Sequence, residues 1–172
     1  MSRPPVLTKE KFKRRGIDMT AQAQPISSGN PAPGFRDHPD HKVTREPFKG
    51  IVEVRRNQVP LARTEAAVLV RETGHTPVLY LPLINLNMDE MAPSEHTTYC
   101  PFKGNASYWS IAGGAGPGDH AAPAENAVWA YQSPYEDVEW LEGFAAFYAD
   151  KVEILVNGLV VDATEPDWPE KL

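Results

Sequence analysis

From Gly50 onward, apolar and β-branched residues come in short runs separated by turn residues at close spacing, the pattern of a mainly β domain built as a small two-sheet sandwich. Ile51 to Arg56 reads as a first strand, Asn57-Gln58 as a tight turn and Val59 to Arg63 as the return strand. Ala66 to Glu72 and Val78 to Leu81 flank the turn signal Thr73-Gly74-His75-Thr76-Pro77. Leu83 to Met91 has helical spacing for one or two turns. Thr97 to Cys100, Ala106 to Ile111, Ala127 to Tyr131, Gly143 to Ala149 and Val152 to Val156 complete the predicted strands. Ser133 to Leu141 predicts a short helical turn with acidic residues where the helix dipole favours them. The glycine-rich run Gly113 to Gly118 lacks the Lys-Ser/Thr and the following helix of a phosphate loop, and reads as a hairpin tip.

The first 49 residues read differently. They hold seven prolines and stretches such as Gln24 to Gly34 that bury too little apolar surface to offset their ordering entropy. Three units follow: an extended, Pro-rich basic arm over 1–49, a β domain over 50–157 and an extended C-terminal tail over 158–172.

Charge divides along the same line. Across 172 residues the net charge is −6, yet residues 1–49 carry ten Lys/Arg against five Asp/Glu, a surplus of +5, leaving the body near −11. So acidic a body disfavours nucleic acid as a general partner, because duplex affinity rests on neutralising phosphates. The arm contains the basic cluster Lys9, Lys11, Phe12, Lys13, Arg14 and Arg15, a candidate docking element for other protein subunits. No run reaches the roughly 20 apolar residues of a membrane helix, and no apolar signal core opens the chain, so the expected setting is cytoplasmic. One cysteine allows neither an internal disulfide nor the several thiolates of most structural zinc sites, and no cofactor is implied.

Usable chemistry concentrates between His96 and Tyr131. His96, Thr98 and Cys100 alternate along one strand and face one way. Pro101 ends that strand, so the chain turns there and brings Lys103 to the start of the next one. Tyr108 follows on that strand with Trp109 pointing oppositely, and Trp129 and Tyr131 share a face of another. These seven residues, His96, Thr98, Cys100, Lys103, Tyr108, Trp129 and Tyr131, are the candidate wall of a polar-aromatic ligand pocket. Each has a plainer role: Cys100 as a small buried hydrophobe, Lys103 as one half of an ion pair, the aromatics as core. Arg63 and Glu72 are candidates to add charge at the mouth of that pocket, with surface pairing the plainer role of both. His38, His41, Asp37 and Asp40 cluster in the proline-rich segment, where such spacing is incidental rather than a metal site. No catalytic set follows from spacing.

Thr98-Tyr99-Cys100-Pro101-Phe102-Lys103-Gly104, then Trp129-Ala130-Tyr131 with Pro134, then Gly143-Phe144-Ala145-Ala146-Phe147-Tyr148, resembles the family catalogued as domain of unknown function 427 over about residues 50–157. The resemblance implies a β-tent fold, two small antiparallel sheets meeting at an angle and open along one side. Relatives on that fold include methionine sulfoxide reductases of the B type and domains with an aromatic ligand cage. Many hold a four-cysteine zinc site, which this chain's single cysteine does not supply. A shared fold leaves function open. The expected function is that of an accessory subunit with its arm draped on partners; the alternative is a small-molecule site, enzymatic or not, on the Cys-Pro-x-Lys-Gly strand.

Overall fold

The computed structural model describes residues 29–113 and 122–172. The predicted docking residues Lys9, Lys11, Phe12, Lys13, Arg14 and Arg15 lie outside them, as does the Gly114 to Gly118 part of the glycine-rich run.

The fold is mainly β. Among the described residues, eleven strands run in chain order as β1 (Val43–Pro47), β2 (Val52–Arg56), β3 (Val59–Thr64), β4 (Val68–Glu72), β5 (Val78–Pro82), β6 (Met91–Cys100), β7 (Gly104–Ile111), β8 (Ala124–Ala130), β9 (Phe144–Phe147), β10 (Glu153–Val156) and β11 (Leu159–Val161). They form two antiparallel sheets, a seven-stranded one ordered β1-β4-β5-β9-β8-β7-β6 and a four-stranded one ordered β11-β10-β2-β3. The predicted turn at Asn57 and Gln58 carries positive φ at both residues, as a two-residue hairpin of the right twist requires.

Side-chain alternation explains the layering. Leu69, Leu79 and Ala145 point into a core shared with Val52, Val54, Leu61 and Ile154 of the smaller sheet. Their neighbours Val70, Tyr80 and Ala146 point to the opposite face, where they pack with Tyr108, Tyr131, Val138 and Leu141. The large sheet is therefore covered on both faces, by the small sheet on one and by the 3-10 turn Glu136–Leu141 and residues preceding β1 on the other.

Both flanking units depart from expectation. Residues 43–47 of the expected arm are β1, paired along its whole length with β4. Four of its five residues are exposed, so an edge strand ending in proline left no hydrophobic signature. Upstream, Gly34 N–H donates to Pro101 O (2.9 Å), Ala32 N–H to an Asp137 carboxylate oxygen (2.7 Å), and Asn30 O accepts from Glu136 N–H (3.1 Å). A short helix α1 (Pro33–Asp37) thus straps the chain across the β6–β7 turn. The expected extended tail also packs: β11 pairs with β10, and Trp168, 3% exposed, donates its indole N–H to Pro77 O at 3.0 Å. A single large aromatic anchor ties down the last turn.

Candidate functional site

Strand register lines up the site. Tyr80 of β5 faces Ala146 of β9, which faces Trp129 of β8, which faces Tyr108 of β7. Three aromatics and one alanine therefore form a row across four neighbouring strands. Ala146 leaves space between the large rings, and Trp129 Nε1 spans it to donate to the Tyr80 hydroxyl at 3.0 Å. Tyr131 follows two residues after Trp129 and packs on the same face.

The β6–β7 turn delivers the charge. Cys100 pairs with Gly104, whose φ of +102° favours glycine, and Lys103 is held by both backbone groups: its N–H donates to Cys100 O (3.3 Å) and its carbonyl accepts from Tyr135 N–H (3.3 Å). The Lys103 side chain turns inward and forms an ion pair with Glu72 at the end of β4, each side chain only 10% exposed. Its ammonium also lies 5.6 Å from the centre of the Tyr131 ring. The other Glu72 oxygen faces His41 Nε2 at 3.1 Å. His41 stacks flat on Phe102 (3.7 Å, 10°), and Phe102 packs against Phe35 of the strap. Burial acts to raise the Glu72 carboxyl, but the hydrogen bond and charge of Lys103, with the hydrogen bond of His41, outweigh it and hold the group below the usual carboxylate range.

These elements enclose a cleft of about 760 Å³, within the range of small-molecule sites. Five of the seven predicted residues line it: Cys100, Lys103, Tyr108, Trp129 and Tyr131. The other two lie behind the wall on exposed β6. Thr98 Oγ1 shares a 2.8 Å hydrogen bond with the Tyr108 hydroxyl, and His96 meets the Tyr108 ring edge-on at 4.6 Å. A register shift between Ser94 and Thr97 takes His96 out of the regular ladder, whereas Thr98 and Cys100 lie in the regular part after it. Cys100 is half-buried, packed against the aromatic cluster while exposing part of itself to the cleft.

Burial pushes the Tyr80 and Tyr131 phenols well above their ordinary value, and pushes Tyr148, beside Tyr108, up to about 12. The phenols are hydrogen-bonding groups here, not acids. Among the described residues, the Tyr131 hydroxyl has no hydrogen-bond partner although the residue is 7% exposed.

Sequence reasoning offered Glu72 only as a charge at the mouth, and it missed His41 and Tyr80 as parts of the cleft. Arg63 pairs at the surface, with Glu53 directly across from it in the β2–β3 hairpin, whereas Glu72 turns inward. Both Glu72 oxygens are engaged inside the cleft. Among the described residues, no group of three His, Cys, Asp or Glu side chains is placed to hold a metal. In the Asp37–His41 cluster, Asp37 instead pairs with Arg36. Among the described residues no helix is long and apolar enough to cross a membrane.

Residues 44–158 match the family described as Domain of unknown function (DUF427). No curated protein matches the chain.

Proposed function

The chain belongs to the domain of unknown function 427 family, and from the site itself we propose that it is a small-molecule-binding protein whose ligand enters the cleft between Trp129 and the Lys103–Glu72 pair. The observation that carries this reading is the Tyr131 hydroxyl, which belongs to a residue lining a cleft of ligand size and has no protein partner among the described residues. A hydroxyl without a protein partner is free to pair with a bound ligand, and one such neutral hydrogen bond is worth about 1 kcal/mol. The polar groups are few and convergent while most of the wall is aromatic or aliphatic, the usual composition of a ligand pocket. A role as an accessory subunit would draw on Lys9 to Arg15, outside the described residues. Residues 30–37 and 43–47 of the expected arm engage their own domain, which favours the pocket reading.

Ligand-observed NMR against a panel of flat heteroaromatic fragments tests the proposal, with hits mapped on isotope-labelled protein. Binders should shift the Trp129 indole N–H and the Lys103 and Tyr131 resonances together. A panel whose hits leave these three resonances unmoved, or contains no hits, overturns it.

A further inference from the structure

The charge balance and the donor inventory of the cleft narrow its ligand class. Resting on the pocket reading above, we infer that the ligand is an uncharged flat ring carrying hydrogen-bond acceptors on one edge.

Charge comes first. The two ions in the depth of the cleft, Lys103 and Glu72, contact each other directly, so a ligand ion attracted by one meets the opposite member beside it. Apart from Cys100 and the tyrosines, the other titratable side chains lining the cleft are Asp150 and His75, both exposed at the mouth, and His41, which is hydrogen-bonded to Glu72. Lys151 lies over the outer face of Tyr148 at 5.0 Å and donates to Glu125 O. Rim charges in water contribute little. Nothing deep in the cleft offers an unpaired counter-charge.

Hydrogen bonding gives the complement. An ammonium has three donors, and Lys103 uses one of them on Glu72. Tyr131 offers a hydroxyl without a partner among the described residues, and Tyr80 accepts from Trp129 while its own proton finds no acceptor there. Each Glu72 oxygen already faces a donor. The two remaining Lys103 N–H groups can only donate, and the Tyr131 and Tyr80 hydroxyls each add a further donor, so a ligand that satisfies them all brings acceptors such as carbonyl oxygens or ring nitrogens. Flatness follows from the walls: the Trp129 and Tyr148 rings lie 4.6 Å apart at a 45° tilt, and rings of this kind favour a planar partner in offset or edge contact.

Three isosteric probes separate the classes: benzamide, benzoate and benzylammonium, titrated into the protein with the Trp129 indole and Lys103 resonances as readout. Benzamide should bind about tenfold tighter than either ion. Tyr131→Phe removes a hydroxyl with no protein partner among the described residues, so it should leave the melting temperature in place and weaken benzamide about fivefold, the worth of one neutral hydrogen bond. Benzoate or benzylammonium binding as tightly as benzamide overturns the ligand class and keeps the pocket. Benzamide affinity unchanged in Tyr131→Phe overturns the donor assignment. Failure of all three probes to shift the cleft resonances overturns the class and the pocket reading together.

Discussion

Replacing Lys103 by Met removes one half of a buried ion pair while keeping most of the side chain's volume. Each partner is 10% exposed, and the cleft lets water approach, so the loss belongs near the lower end of what breaking a buried pair costs, about 3 kcal/mol. For a domain of this size that is a fall of roughly 9 °C in melting temperature. The pH dependence is sharper than the magnitude. In the native protein Glu72 is held below the ordinary carboxylate range, so its stabilisation is complete above that range and is lost only as pH falls through the depressed value. Without Lys103, burial becomes the dominant influence and the carboxyl moves above the ordinary range. Between the ordinary and the raised value the folded variant binds a proton that the unfolded chain does not, so its stability falls as pH rises. The deficit relative to the native chain should therefore be largest near neutrality and shrink by about 1 kcal/mol on going to about pH 5. Urea unfolding at both pH values measures it. Glu72→Gln combined with Lys103→Met keeps an acceptor for His41 and should recover at least half of the loss, since removing both charges leaves neither one unpaired. A deficit below about 1 kcal/mol, equal at the two pH values, would mean that solvent already screens the pair and would refute the desolvated floor.

The strap, the tail and the phenols each give a further expectation. A Cβ at Gly34 would stand 2.6 Å from the Phe102 ring and 2.8 Å from Pro101 O; Gly34→Ala should cost about 1–3 kcal/mol and open residues 30–42 to protease, and an unchanged digestion pattern would show that the strap is not seated. Trp168→Ala removes a buried indole and its bond to Pro77 O; urea unfolding should show a loss of about 3 kcal/mol, and a loss under about 1 kcal/mol would detach the tail from the core. Because burial raises the Tyr80 and Tyr131 phenols, the unfolded chain releases protons first, so stability falls as pH rises above the ordinary phenol value. In a tyrosinate absorbance titration these two should ionise only together with loss of the near-UV circular dichroism signal; complete ionisation of all six tyrosines before that loss would refute their burial.

The strands that alternate cleanly were legible because one residue in two must face a core. Val52, Val54, Leu69 and Leu79 mark their elements in any window. β1 and most of β6 were not legible, since both are edge strands whose residues are largely exposed and both contain proline, leaving main-chain pairing as their reason to exist. Trp168 shows a different failure. One anchor in a polar tail carries no periodicity, and its value depends on a carbonyl 91 residues away.

The site divides in the same way. Cys100, Lys103, Tyr108, Trp129 and Tyr131 sit on a hairpin and its neighbouring strand, so local spacing brought them together. Glu72 and His41 reach the same cleft across 31 residues of chain apiece, through a sheet order in which β4 and β7 are separated by three strands. A buried lysine requires a counter-ion, but the sequence offered Glu72 only as a charge at the mouth, and nothing in it paired that residue with Lys103. His41 was hidden further by its setting, a proline-rich segment whose His and Asp spacing suggested at most an incidental cluster. That segment now carries a structural consequence: Gly34 and Phe35 seat Phe102, Phe102 stacks on His41, and His41 orients the carboxylate that holds Lys103. Gly34, Phe35 and His41 all precede residue 44, where the family match begins. The back wall of the cleft is thus assembled from two sources, a family-matched hairpin that supplies the lysine and the aromatics, and a preceding strap that fixes how the lysine's partner is held. A change confined to the strap should alter the cleft through Glu72 without touching any residue of the family motif.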